Sequence, residues 1–325
     1  MLYRMLGKSG LEISEIGFGG WGIGGWGPRD DQAARDALRQ AFDLGVNFYD
    51  TALGYGGGHS EELIGEVFHG CRDKVIIATK VPTKTSRWPV LPHEPIEEVF
   101  PADWIVECAE QSLRHLNTDY IDVLQLHAWT PPYVHADAWY QGMMRLKEQG
   151  KVRAFGVSSN DWDPYGPVTL IESGLIDAVQ VIYNIFEQRP AEQLLPAALK
   201  HNVGIIVRVP FEEGLLTGRL VPGYVFPEGD WRGSWLTPDR LEIAARRVAA
   251  LRAFLAEDRP TLAALALKFV LSHPAVSTVI PGMRRSEHVV ANCAVSDGKL
   301  LDQDVLAALY DHAFVHGWSY PWSQI

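Results

Sequence analysis

The sequence predicts an α/β protein, a single (β/α)8 TIM barrel with an N-terminal β-hairpin capping the barrel bottom, and three observations carry that expectation. From about residue 30 onward, helical periodicity alternates with short β-rich runs, which is the pattern of repeated βα units on a parallel sheet. Eight such units can be counted along the chain. The length of 325 residues, 47% of them hydrophobic, suits one barrel filled as a single unit over residues 1–325, and no linker, repeat or low-complexity tract divides it.

Taken in order, Tyr3 to Leu6, the turn Gly7-Lys8-Ser9-Gly10 and Leu11 to Ile13 read as a hairpin before the first barrel strand. The barrel strands are expected at Ile16 to Gly20, Asn47 to Asp50, Val75 to Lys80, Ile121 to His127, Phe155 to Ser158, Ala178 to Asn184, Gly204 to Val209 and Val276 to Pro281. Between them lie helical stretches such as Asp31 to Leu44, Glu61 to His69, Trp104 to Leu116 and Leu194 to His201, several stopped by Gly or Asn. Thr83 to Pro101, with Pro89, Pro92 and Pro95 inside it, is a long loop rather than an extra helix. Pro210 to Pro238 is a second irregular stretch, carrying Trp231 and Trp235, and the tail holds Trp318, Tyr320 and Trp322.

Composition excludes several classes of function. A formal charge of -11 offers no attraction for phosphate backbones, and no Lys/Arg run with interleaved aromatics makes a local basic groove, so nucleic acid is not an expected partner. Cys71, Cys108 and Cys293 are odd in number, far apart and in no CxxC spacing, which fits reduced thiols better than a disulfide framework or zinc site. No apolar run reaches the roughly 18 residues that a membrane span needs, and the first residues lack a secretory apolar stretch, so the expected location is the cytoplasm.

In such a barrel the C-terminal strand ends converge on one face, so a polar residue closing an apolar strand is placed where chemistry happens. Three strands end that way, on Asp50, Lys80 and His127, while Tyr55 follows Asp50 by five residues in a Gly-rich loop. Each residue alone has an ordinary reading: a cap or ion-pair partner for Asp50, a rim charge or Schiff-base lysine for Lys80, a structural histidine for His127, a packed loop aromatic for Tyr55. Their order and their placement at strand ends favour a joint role.

These residues resemble the tetrad of the aldo-keto reductase superfamily, in the stretches Asp50-Thr-Ala-Leu-Gly-Tyr55, Lys80 and Leu124-Gln-Leu-His127. Ser60-Glu-Glu-Leu-Ile-Gly65, Gly156-Val-Ser158, Gln180-Val-Ile-Tyr-Asn184, Gly214-Leu-Leu-Thr-Gly218 and Ile280-Pro-Gly282 extend the likeness nearly end to end. The resemblance implies an oxidoreductase that moves a hydride between NADPH and an aldehyde or ketone, or oxidises an alcohol in reverse. Tyr55 would be the general acid, and Lys80, held by Asp50, would lower its pKa, while His127 would orient the carbonyl oxygen.

No strand is followed by GxGxxG and a helix, so the cofactor site is not of the Rossmann kind. The resemblance instead lays NADPH across the barrel top. Ser158 and Ser159 or Asn160 would hold the carboxamide with Gln180 beside them, and Gly20, Trp21 and Asp50 would line the same cleft. The loop through Pro210, Phe211, Gly214, Leu215, Thr217 and Gly218 would wrap the pyrophosphate. Beyond Gly282, Arg284 would meet the ribose 2′-phosphate, with His288 nearby and Asn292 at the adenine, which favours NADPH over NADH.

The chain departs from the family at three points: it reads Ser158-Ser159-Asn160 where the family commonly has Ser-Asn directly after Gly-Val, Arg208 stands where many members stack an aromatic on the nicotinamide, and His288 replaces a frequent glutamine. A guanidinium can itself stack on a flat ring. Trp21, Trp88, Trp129 and Phe186, with Tyr55 and His127, are expected to surround an apolar carbonyl substrate, and Trp231 and Trp235 are candidate lids. Two rival readings remain at this level, a potassium-channel accessory subunit that binds the nicotinamide without turnover and a barrel aldolase using Lys80 as a Schiff base.

Overall fold

A computed structural model of the chain describes residues 1–24, 29–161 and 163–318. Tyr320 and Trp322 lie outside the described residues. Strands β1 (Tyr3–Met5) and β2 (Glu12–Ser14) pair antiparallel, and eight further strands form one parallel sheet in chain order. These are β3 (Phe18–Gly19), β4 (Phe48–Asp50), β5 (Ile76–Val81), β6 (Ile121–Leu126), β7 (Val152–Ser158), β8 (Ala178–Ile182), β9 (Gly204–Arg208) and β10 (Val276–Val279). Parallel bridges Ile16 to Val279 and Gly19 to Gly282 join the two ends of the sheet and close the barrel. The first strand is shorter than its sequence suggests because its residues meet β10 through isolated contacts such as Gly17 N to Val279 O at 2.8 Å.

Strand periodicity explains how the interior is layered. Phe48, Ala78, Val123, Ala154, Ala178 and Ile206 occupy one interior level and pack with Leu6, Leu11 and Ile13 of the hairpin. The alanines on three of these strands leave the room that the hairpin side chains fill, so β1 and β2 plug the bottom of the barrel as expected. Side chains two residues further along a strand face the same way. The next level therefore consists of Asp50, Lys80, Gln125, Gly156, Gln180 and Arg208, polar wherever it carries a side chain.

The helices form for local reasons that the sequence shows. Asp30 caps helix Asp31–Asp43 by accepting from Ala33 N, Thr261 caps helix Leu262–Leu271 by accepting from Ala264 N, and helix Leu194–His201 stops where Asn202 turns left-handed at φ 51°. The loop after β5 contains one helical turn, Ile96–Val99, and the stretch after β9 contains another, Arg232–Trp235. The stretch after β9 also contains the 3-10 turn Leu215–Thr217, and both are otherwise irregular. Among the described residues, no helix is long and apolar enough to cross a membrane.

Candidate active site

The polar interior level is a hydrogen-bonded unit. Lys80 Nζ donates to Asp50 Oδ1 at 2.5 Å, to Thr51 O at 2.7 Å and to Tyr55 Oη at 3.3 Å. The other oxygen of Asp50 accepts from Gln180 Nε2 at 2.7 Å and from Gln125 Nε2 at 3.3 Å. Asp50 and Lys80 are only 2% and 1% exposed, so a carboxylate with three donors is what makes an ammonium tolerable there. Gln125 sits two residues before His127, on the strand face that period-two alternation shares with the tetrad, and that spacing could have singled it out.

Tyr55 reaches Lys80 because of its loop. Gly56, Gly57 and Gly58 all have positive φ, and a Cβ on Gly56 would lie 1.8 Å from Gly24 O, one on Gly58 2.2 Å from the His115 ring. His115 Nδ1 is 3.0 Å from Glu61 Oε2, while Glu61 Oε1 accepts from Thr79, the residue before Lys80. The Tyr55 loop is thus seated on a buried network tied to β5. The His127 ring meets Tyr55 edge-on at 5.8 Å, and both side chains are half-buried at the barrel mouth.

Electrostatics give each group a definite state. Burial raises the Tyr55 phenol above its ordinary range; Lys80 and Arg208 pull it down and Asp50 pushes it up, and burial prevails. Lys80 acts on Tyr55 with the expected sign, lowering its pKa by charge and by hydrogen bond, and burial is the larger effect. Burial also disfavours the Lys80 ammonium, yet Asp50 and Tyr55 outweigh it and hold its pKa above the ordinary value. His127 lies well below its ordinary value through burial and the cations Lys80 and Arg208, so it is a neutral imidazole at pH 7.

The residues expected to bind a nicotinamide dinucleotide lie after β7, after β9 and after β10. Ser158, Ser159 and Asn160 are buried at the end of β7. Asn160 Nδ2 donates to Val90 O at 3.0 Å, whereas Ser159 Oγ and Asn160 Oδ1 are buried without a hydrogen-bond partner. Buried polar atoms seek partners, and a hydroxyl beside an amide oxygen suits a carboxamide. Gln180 stands beside them with its amide nitrogen already committed to Asp50. Gly20 is buried next to Asp50, since a Cβ there would lie 2.7 Å from Asp50 O.

After β9 the chain turns through Pro210 and Phe211 with positive φ at Val209, Glu212, Glu213, Gly214 and Gly218, which curls its backbone tightly. Thr217 Oγ1 donates to Gly214 O at 2.6 Å, and Leu215 is buried in a satellite core with Trp235 and Leu241, so only its backbone faces outward. Further along, Gly282 pairs with Gly19, Arg284 is exposed, and Asn292 is 5% exposed with a partnerless Nδ2 on helix Ser286–Cys293. His288 Nε2 lies 3.4 Å from Arg219 Nη1, which brings to this corner a cation that the sequence reading passed over.

The residues expected to surround a substrate divide between the mouth and the buried interior. Trp88 presents its ring to His127 at 5.2 Å, and Trp21, 36% exposed, meets Trp231 at 6.2 Å, with Trp231 in turn 5.6 Å from Trp235. Trp129 is fully buried edge-on to Trp139 and Tyr133, in the layer between barrel and helix Ala138–Glu148, and Phe186 is fully buried against Phe314. Both side chains are buried in this structure, and the Trp129 indole nitrogen has no hydrogen-bond partner. Arg208 is turned onto Asp161 at 2.5 Å and Ser159 O at 3.2 Å, a partnership invisible in sequence.

Comparison with known proteins identifies the family of this barrel. The family model described as the Aldo/keto reductase family matches residues 15–313. The chain is 36% identical over 237 residues to the aldo-keto reductase YhdN of Bacillus subtilis, covering 71% of this chain and 68% of that one. It is 28% identical over 311 residues to the NADH-specific methylglyoxal reductase of Escherichia coli, covering 92% and 94%. Among solved structures, the holo form of aldo-keto reductase AKR11C1 from Bacillus halodurans superposes with a TM-score of 0.77 at 29% identity, covering 100% of both chains. A match over most of the length, on a closed barrel whose mouth joins a tyrosine, a lysine, an aspartate and a histidine, makes this chain a member of the aldo/keto reductase family.

Proposed function

We propose that this protein reduces aldehydes or ketones with NADPH, with Tyr55 as the proton donor. The observation that carries the reading is the chain of contacts from Asp50 through Lys80 to Tyr55 Oη, ending beside His127 at the open mouth. When bound, NADPH supplies the hydride that becomes the new C–H bond of the alcohol. The protein supplies the rest: Tyr55 gives its phenolic proton to the carbonyl oxygen, and the resulting phenolate is held 3.3 Å from the Lys80 ammonium. The neutral imidazole of His127 donates a hydrogen bond to the same oxygen and so fixes which face of the carbonyl is presented.

The buried, partnerless Ser159 Oγ, Asn160 Oδ1 and Asn292 Nδ2 support a nicotinamide at one end and an adenine at the other. The Escherichia coli relative is NADH-specific, so the preference for NADPH rests on the cations Arg284 and Arg219 near helix Ser286–Cys293, which suit a ribose 2′-phosphate. An apolar carbonyl substrate fits the tryptophans at the rim.

Stopped-flow mixing of NADPH-loaded protein with a panel of aldehydes and ketones tests the proposal. Tyr55→Phe is expected to lower the single-turnover rate by at least about 100-fold while leaving NADPH affinity nearly unchanged. Turnover of Tyr55→Phe at the wild-type rate would refute the acid assignment. Arg284→Ala is expected to weaken NADPH about 10-fold or more, and NADH far less. Equal losses for the two cofactors remove the phosphate role.

A further inference from the structure

Asp161 follows Asn160 beyond the end of β7, and its side chain is 4% exposed. Its two oxygens serve two different segments of the chain. Oδ1 accepts from Arg208 Nη2 at 2.5 Å, and Oδ2 accepts from Trp88 Nε1 at 3.1 Å. Arg208 closes β9, and Trp88 belongs to the loop after β5, where its ring lies 5.2 Å from His127. Segments at the ends of β5, β7 and β9, alternate strands of the barrel, therefore meet on one carboxylate.

The geometry points to Asp161 as a positioning residue: it sets the Trp88 wall against His127 and keeps the Arg208 guanidinium compensated and fixed beside Tyr55 and His127. An ionised carboxylate is the side chain suited to this, because it accepts through both oxygens and carries the countercharge. Asparagine in its place keeps one acceptor and no charge, so one partner must be released. Among the described residues, the ionisable groups acting on this part of the mouth include Asp50, Lys80, Tyr55, His127, Arg208, Asp161, Glu212, Glu213 and Arg232. Burial, Glu212 and Asp161 push the Glu213 carboxyl up to about 8 against the pull of Arg208 and Arg232, so near neutrality Glu213 is largely protonated, while Asp161 pairs with Arg208. The kinetic side of the inference rests on the proposed reduction, whereas the positioning of Trp88 does not.

The experiment compares wild type with Asp161→Asn, Trp88→Phe and the double variant Asp161→Asn, Arg208→Met. Asp161→Asn is expected to raise KM for an aldehyde roughly 10-fold through the loosened wall, more than it lowers kcat. It is also expected to shift the alkaline fall of kcat to lower pH, since removing one negative charge from the mouth favours the Tyr55 phenolate. The double variant should return that limb to its wild-type position, and Trp88→Phe should raise KM without moving it. In the cofactor-free protein, the indole N–H resonance of Trp88 should move in Asp161→Asn, a readout independent of turnover. An equal loss in all rates with KM, pH limb and indole resonance unchanged would mean a merely structural role and overturns the inference. A wild type that transfers no hydride sinks the proposed function itself, and the indole resonance then decides alone whether Asp161 holds the wall: moved supports it, unmoved overturns it.

Discussion

Tyr55 illustrates how a buried phenol is made ready for one direction of chemistry. Burial keeps it protonated above the ordinary tyrosine range, and Lys80 limits that rise. Reduction consumes the protonated form, so its rate is expected to stay level through neutral pH and to fall only at strongly alkaline pH, as the donor loses its proton. Alcohol oxidation needs the phenolate, so its rate should climb over the same interval. Initial rates in both directions across pH check the sign, and an oxidation rate that falls with rising pH rejects it. His127, held neutral by burial and two nearby cations, contributes no acid limb in the neutral range.

At the scale of elements, the hairpin and the Tyr55 loop each depend on close fits. Leu6 is fully buried among the lowest interior residues of the barrel, so Leu6→Ala is expected to cost about 2–5 kcal/mol, read as a lower urea midpoint without loss of the tetrad geometry. Gly58→Ala combines a φ of 101° with a Cβ 2.2 Å from His115. It should displace the loop and depress kcat by on the order of 10- to 100-fold, with far-UV circular dichroism unchanged. The strands, the hairpin and the polar strand ends were legible in sequence because each follows from alternation and turn chemistry within a few residues. The fate of Trp129 and Phe186 was not, since both mouth and outer layer accept a large aromatic and only the packing of helix Ala138–Glu148 and of Phe314 selects between them.

For the whole molecule, the proposed cofactor line runs from the Ser159 and Asn160 end of β7 past the loop after β9 to helix Ser286–Cys293, so one ligand would bridge segments far apart in the chain. A ligand that binds only the folded state at about 100 times its Kd stabilises by roughly 2.7 kcal/mol. NADPH alone, without substrate, is thus expected to raise Tm, and an apolar aldehyde alone to leave it nearly unchanged. Differential scanning fluorimetry with each added separately tests this, and an equal rise with both contradicts a cofactor-first site.

Local pattern determined that this chain forms eight βα units and that Asp50, Lys80, His127 and a following Tyr55 stand at strand ends, because hydrophobic period and turn residues act over short spans. Closure of the barrel decided the rest. It brought Gln125 and Gln180 onto Asp50, let burial rather than Lys80 set the Tyr55 shift, and gathered Arg208 and Trp88 onto Asp161. Which charge meets which across a mouth built from separate loops depends on distances between residues remote in sequence, and only the closed tertiary structure sets those distances.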